Sequence, residues 1–92
     1  MRFLSQLYDA GVRELDGDLA PLFAFLREPE MTQSTIVVIT SDHGEEFLEH
    51  GGFMHQQQGF EEIIQVPLII KFPGGAFAGV RVSHLATMTD IM

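Results

Sequence analysis

Residues 35–46 read Thr-Ile-Val-Val-Ile-Thr-Ser-Asp-His-Gly-Glu-Glu, and this stretch decides the fold. Its first six residues are apolar or β-branched, a pattern typical of a buried strand. The strand ends before Ser41, and Gly44 gives the chain the freedom to turn just beyond it. Ligands of open α/β sheets bind beyond the carboxyl ends of strands. Asp42 and His43 therefore stand where a site is expected.

Asp42 and His43 are the first candidates for chemistry. A carboxylate oxygen beside an imidazole supplies about half of a metal site, so both residues are candidate metal ligands. The alternative is structural: Asp42 caps the acidic turn that follows, and His43 packs at the end of the strand. The pattern by itself favours neither interpretation.

His55 is the second candidate, because it follows a glycine-rich loop from which it could reach an anionic substrate or a leaving oxygen. Taken alone, the pattern favours a surface-loop histidine. The acidic residues Glu45, Glu46 and Glu49 are predicted to form a solvated turn. The alternative is that they balance the charge of a metal from outside its ligand shell.

The order of predicted elements is helix, strand, loop, strand. Residues 3–27 carry apolar side chains at helical spacing and are predicted to bury one face. Pro21 leaves two interpretations open, one helix or two segments at about 3–17 and 19–27. Residues 29–34 are predicted to be a polar loop, residues 45–50 a short helical turn, and residues 66–71 a second buried strand.

The remaining segments carry weaker signals. Residues 60–65 form a short patterned piece before the second strand, and residues 72–75 are a turn. Residues 76–82 are predicted to hold an irregular loop and a short strand. Thr89 or Asp90 is a candidate helix cap near the end of the chain.

This order indicates an α/β fold. About twenty residues separate the two strands, enough for the right-handed crossover that joins parallel neighbours. Strands of this apolar type need cover on both faces, which one helix and a few loops do not supply. We therefore expect residues 1–92 to be part of a larger domain.

Composition excludes several classes of function. The chain has 92 residues, enough for one small domain, and a net charge of −8 with only five Lys or Arg residues. So few cations disfavour binding to nucleic acid and leave no basic stripe for an anionic membrane. The longest apolar stretches are far shorter than a bilayer span. The absence of cysteine excludes disulfides and thiolate metal sites.

Three ordered motifs together resemble the sulfatase family. They are Thr-Ser-Asp-His-Gly-Glu-Glu-Phe at 40–47, Glu-His-Gly at 49–51, and Phe-Glu-Glu-x-x-x-Val-Pro-Leu-Ile-Ile at 60–70. The resemblance covers nearly the whole chain. It implies an incomplete part of an alkaline phosphatase-like three-layer sandwich with a mostly parallel sheet. Residues 1–92 would then be an internal or C-terminal-half fragment of the catalytic domain.

The resemblance also implies roles for three residues. Asp42 matches an aspartate that binds the divalent metal, and His43 occupies the next ligand position, which is Asn in many calcium-dependent sulfatases. Histidine at that position is similar to phosphonate monoester hydrolases. Imidazole favours Zn²⁺ or Mn²⁺ over Ca²⁺, so all three ions stay open. His55 falls near the Lys or His that contacts the sulfuryl oxygens of the substrate.

Family members also have an N-terminal pair of metal-binding aspartates and a Cys- or Ser-containing signature that yields the formylglycine nucleophile. This chain has no cysteine, and none of its serines lies in such a signature. The implied function is hydrolysis of small-molecule sulfate esters by a metal-dependent parent enzyme, with the remainder of the catalytic domain needed for turnover. The alternatives are a phosphate or phosphonate ester hydrolase, or phosphoryl transferase, of the same superfamily, and a non-catalytic remnant.

Overall fold

The computed structural model describes residues 2–55 and 59–91. The predicted loop through Gln56, Gln57 and Gln58 lies outside the described residues. The elements are, in chain order, α1 (Arg2–Leu26), α2 (Pro29–Ser34), β1 (Val37–Thr40), β2 (Glu46–Phe47), β3 (Phe53–Met54), α3 (Glu61–Ile64) and β4 (Leu68–Lys71), followed by 3₁₀ turns at Pro73–Gly75 and Met88–Ile91. The chain is therefore a small α/β protein, as predicted.

The N-terminal helix α1 is one element of 25 residues that contains Pro21, so the single-helix interpretation is confirmed. Its predicted buried face is wrong for this chain, because large apolar side chains such as Leu7, Val12 and Leu15 are exposed. No described element packs along most of the helix. An aromatic contact of the helix is an edge-on pair in which the ring centroids of Tyr8 and Phe47 lie 5.3 Å apart.

Three of the predicted secondary-structure assignments need correction. Residues 29–34 form α2, because Pro29 at the first helical position has a φ suited to a helix start. Residues 45–50 enter a β-hairpin, with β2 paired to β3, instead of a helical turn. Residues 76–79 form successive turns, and no strand follows them in residues 80–82.

Strands β1 and β4 pair in an antiparallel two-stranded sheet, with Val37 opposite Lys71 and Thr40 opposite Leu68. The predicted parallel pairing is wrong here. A parallel neighbour needs a crossover of a dozen or more residues, usually helical, whereas the only helix described between the strands is the four-residue α3. The chain instead returns at the same end of the sheet at which it left β1.

The sheet leaves most of its apolar side chains in contact with solvent. Ile39 is 40% exposed and Ile69 is 58% exposed, so the predicted full burial of both strands does not hold in this chain. Helix α2 is tied to the edge of the sheet through Lys71, whose Nζ donates to the carbonyl oxygens of Thr32 at 2.8 Å and Thr35 at 3.2 Å. No helix in residues 2–55 or 59–91 combines the length and apolar character needed to cross a membrane.

Gly44 joins the loop after β1 to helix α3. Its N–H donates to the carbonyl oxygen of Ile63 at 2.6 Å. A Cβ at this position would clash with the carbonyl oxygen of Glu62. Only glycine permits so close an approach of two backbone segments.

We expect Gly44→Ala to separate this loop from α3 and to lower the free energy of unfolding by about 1–3 kcal/mol, the usual cost of overpacking. Urea unfolding followed by circular dichroism measures the change. Gly59→Ala is the matched control, because a Cβ at that position meets nothing within 4 Å. Equal unfolding midpoints for the two variants would contradict the tight approach at Gly44.

The last described turn is held by Asp90. Its carboxylate accepts hydrogen bonds from the backbone N–H of Thr87 at 2.6 Å and from the Thr87 hydroxyl at 3.1 Å. These bonds, the backbone one foremost, hold the pKa of Asp90 below its ordinary value of 3.8. Asp90 thus reaches back to the start of the turn, as in a capping box, whereas the sequence pointed to Thr89 or Asp90 as the cap residue itself.

The depressed pKa of Asp90 predicts a pH-dependent turn. The ionised carboxylate stabilises the turn above the ordinary pKa, and this contribution is lost as the pH falls through the depressed value. Amide hydrogen exchange at Thr87 should therefore be slow at pH 5 and accelerate, after correction for intrinsic rates, only below about pH 3.8. Asp90→Asn should remove the pH-dependent step. The same pH dependence of Thr87 protection in Asp90→Asn as in the unmodified chain would contradict the assignment.

Candidate metal and substrate site

The candidate site begins at the end of β1, where Ser41, Asp42 and His43 leave the sheet. The Ser41 hydroxyl donates to the carbonyl oxygen of His43 at 2.7 Å, and the N–H of His43 donates to Oδ1 of Asp42 at 3.0 Å. These local bonds turn the chain without a helix. The bond from the His43 N–H gives Asp42 a structural role in the turn after β1, which is close to the capping role considered as the alternative to metal binding.

The two side chains predicted to bind a metal differ in their surroundings. Asp42 is 87% exposed, whereas His43 is 40% exposed, and the distance from Oδ2 of Asp42 to Nε2 of His43 is 3.8 Å. Nδ1 of His43 lies 2.8 Å from the carbonyl oxygen of Gly44. When Nδ1 carries the proton and donates to that oxygen, Nε2 keeps its lone pair and is available to a metal.

The β2–β3 hairpin carries His55 back to the loop after β1. Glu46 pairs with Met54 and Phe47 with Phe53, so Glu45 and His55 follow as the next opposed positions. The His55 ring stacks on the His43 ring, with centroids 4.4 Å apart and an angle of 30° between the planes. His43 and His55, selected separately from the sequence, therefore lie side by side.

Glu45 joins the two histidines. One carboxylate oxygen, Oε2, lies 3.6 Å from Nδ1 of His55, and the Glu45 side chain is only 23% exposed. Ligand atoms of His43, Glu45 and His55 all lie within 4.8 Å of one another. Two imidazoles and a carboxylate are a donor set that suits a first-row transition metal. The residues that are present thus fit a divalent ion.

The hairpin loop is held by a buried carboxylate. Glu46 has 0% exposure, and its Oε1 accepts hydrogen bonds from the N–H groups of His50 and Gly52, both at 2.9 Å. A Cβ on Gly52 would lie 2.5 Å from Oε2 of Glu46, so glycine leaves the space that the carboxylate fills. The predicted solvated turn at these glutamates is wrong, because Glu46 is inside the hairpin and Glu45 is mostly covered.

A further histidine, His50, lies beside the loop. The ring of His50 stacks flat on that of Phe60 at a centroid distance of 3.9 Å, and its Nδ1 is 3.5 Å from Oε2 of Glu62. This packing fixes the start of α3 against the hairpin. His50 therefore has a structural place and does not belong to the His43–Glu45–His55 cluster.

Sequence reasoning undervalued Glu45 and Glu46, although a usable signal existed. Gly51 and Gly52 stand between Phe47 and Phe53, and a glycine pair flanked by strand-forming residues is a hairpin signal. Counted as a five-residue loop over 48–52, the hairpin places residue pairs whose numbers sum to 100 opposite each other, as the observed register does. The same count places Glu45 opposite His55.

Comparison with known proteins agrees with the motifs. Human arylsulfatase K is 36% identical over 84 residues, which are 91% of this chain and 15% of that protein. Zebrafish (Danio rerio) arylsulfatase K is 36% identical over 91 residues, 99% of this chain and 17% of that protein. Human iduronate 2-sulfatase is 37% identical over 73 residues, 79% of this chain and 13% of that protein. No solved structure matches the chain significantly.

The chain thus spans roughly a sixth of the length of these relatives, or less. A sequence model of the sulfatase family matches residues 4–92, nearly the whole chain. The chain belongs to the sulfatase family.

Proposed function

We propose that residues 1–92 are part of the catalytic domain of a metal-dependent sulfatase that hydrolyses small-molecule sulfate esters. Family membership over residues 4–92 supports the reaction class. The observation that carries the proposal is the stacking of His43 on His55 at 4.4 Å. It brings a candidate metal ligand and a candidate substrate contact, twelve positions apart in sequence, to one place.

Asp42 and His43 are the proposed metal ligands. A divalent ion bound there would supply Lewis-acid polarisation of the ester. His43 is oriented by its contact with the Gly44 carbonyl oxygen, which leaves Nε2 to coordinate. The exposure of Asp42 leaves its carboxylate free to meet ligands from the rest of the domain. The ion is Zn²⁺, Mn²⁺ or Ca²⁺, and the imidazole ligand favours the first two.

His55 is the proposed contact to the sulfuryl oxygens. Its side chain is 52% exposed beside His43, where a substrate bound near the metal can reach it. A donor directed at the charge that develops on a transferring group contributes more in the transition state than in the ground state. In this role His55 binds and orients the ester, and the nucleophile comes from another part of the parent enzyme.

The rest of the catalytic domain is needed for this function. The apolar side chains of β1, β4 and α1 that remain exposed, Ile39, Ile69 and Leu7 among them, are what the adjoining layers of an alkaline phosphatase-like sandwich would cover. In the parent, we propose that β1 and β4 join a larger, mostly parallel sheet. Burial of such a side chain contributes about 1.5–3 kcal/mol.

A second candidate is hydrolysis of phosphate or phosphonate esters. The observation that favours it is the imidazole of His43 at the ligand position after Asp42, because a nitrogen ligand suits Zn²⁺ better than Ca²⁺. The sulfuryl and phosphoryl groups of the two ester classes are both tetrahedral and anionic. The two substrates therefore have to be separated by turnover.

The test is turnover by the full-length parent enzyme on matched aryl sulfate and aryl phosphate esters. We expect the sulfate ester to react faster. His55→Ala should lower kcat/KM by about 10²–10³, the usual cost of removing one donor to the transition state. Asp42→Asn and His43→Ala should each lower it at least as much, with activity partly restored by excess metal.

Glu61→Gln is the control, because this side chain is exposed at the start of α3 and should leave kcat/KM unchanged. The 92-residue chain should show no turnover of either ester. Faster turnover of the phosphate ester by the parent would favour the second candidate. A folded parent inactive on both esters would support a non-catalytic remnant and contradict the proposal.

A further inference from the structure

The cluster of His43, Glu45 and His55 offers more than the two adjacent ligands proposed above. Each side chain is positioned by a different element: His43 lies in the turn after β1, Glu45 directly precedes β2, and His55 directly follows β3. The hairpin register opposes Glu45 and His55, and ring stacking adds His43. The cluster is therefore assembled entirely within residues 43–55.

The distances in the cluster suit a small ion. Two ligand atoms on a tetrahedral ion lie about 3.3 Å apart when each metal–ligand bond is about 2.0 Å. The observed 3.6 Å between Oε2 of Glu45 and Nδ1 of His55 is close to that value. The greatest separation in the cluster is at most 4.8 Å, and rotation of the His55 imidazole, which is 52% exposed, can shorten it.

The Asp42 carboxylate does not share this arrangement. It is 87% exposed, one of its oxygens accepts the N–H of His43, and Asp42 does not belong to the group whose ligand atoms lie within 4.8 Å of one another. Glu45, by contrast, is mostly covered, and its Oε2 faces His55. Among the described residues, Glu45 is the carboxylate grouped with both imidazoles, with ligand atoms within 4.8 Å of one another.

We propose that His43, Glu45 and His55 form a three-ligand site for a first-row transition-metal ion, of which Zn²⁺ is the preferred example. Two nitrogen donors and one oxygen donor select such an ion over Ca²⁺ or Mg²⁺. Three protein ligands leave the fourth tetrahedral position open to water or to an anion. The site shares only His43 with the metal site proposed for the parent enzyme and requires no sulfatase activity.

This site and the proposed substrate contact use His55 differently. When His55 coordinates the ion, it cannot at the same time donate from that nitrogen to a sulfuryl oxygen. A three-ligand ion would therefore occupy the place of the sulfuryl group, and Zn²⁺ binding would compete with an anion for His55. Direct binding measurements separate the two roles because they do not depend on turnover.

The experiment is titration of the purified 92-residue chain with Co²⁺, followed by visible d–d absorption, with Zn²⁺ and Ca²⁺ as competitors. We expect one Co²⁺ per chain, displaced by Zn²⁺ and not by Ca²⁺. Glu45→Gln and His55→Ala should each weaken binding by roughly a hundredfold, at or above the 10–100-fold that loss of an outer-shell partner costs. His84→Ala is the matched control, because His84 is exposed outside the cluster.

A readout that needs no substitution guards against variants that fail to fold. Zn²⁺ added to the unmodified chain should shift the imidazole NMR resonances of His43 and His55 and leave those of His84 in place. Absence of Co²⁺ binding, or unchanged affinity in Glu45→Gln, would overturn the proposal. So would a loss in Asp42→Asn equal to that in Glu45→Gln, which would assign the ion to the Asp42–His43 pair and leave the proposed sulfatase function standing.

Discussion

The carboxylate of Glu46 is the constraint on which the candidate site depends. A buried carboxylate is costly unless hydrogen bonds compensate it. Oε1 of Glu46 accepts two backbone N–H groups from the loop that follows β2, whereas Oε2 is buried without a hydrogen-bond partner among the described residues. Those bonds close the loop, and a closed loop fixes the register of β2 with β3. Because opposed positions in a hairpin continue one residue outward, the same register brings His55 to Glu45. Packing of a side chain that touches no ligand thus decides which groups can meet in the site.

A second constraint joins the hairpin to the sheet. The antiparallel pairing of β1 with β4 places both ends of the long connection at the same end of the sheet. The hydrogen bond from the Gly44 N–H to the Ile63 carbonyl oxygen joins the two ends of this connection. Ring stacking of His50 on Phe60 adds a contact between the hairpin loop and the start of α3. The two contacts join residues 19 and 10 positions apart in the sequence. The loop with Asp42 and His43 is therefore anchored by β1 before it and by the bond from Gly44 to α3 after it.

The sequence was sufficient where structure is local and insufficient where it depends on distant partners. Periodicity located β1, β4 and the helix that contains Pro21, and chemistry selected His43 and His55. The direction in which β1 and β4 pair could not be predicted from the pattern of the strands, because it depends on the conformation of the 27 residues that connect them. The glycine pair indicated a hairpin, but the positive φ angles of Leu48 and Met54, 72° and 70°, could not be predicted, because glycine, asparagine and aspartate are the residues that usually adopt them. Burial of Glu46 follows from that hairpin and was hidden with it.

The proposed metal binding and the proposed catalysis are separable because they depend on different parts of the parent enzyme. The ligand cluster is built by bonds within residues 41–63, all of them local to the hairpin and its two neighbours. The sheet below it consists of two strands, which is marginal for independent stability, and its apolar side chains remain in solvent. Completing that sheet with adjoining layers would stabilise the fold without changing which side chains the hairpin opposes. In the proposed parent enzyme, addition of the nucleophile and further ligands would convert this preformed set of candidate ligands into a reactive centre.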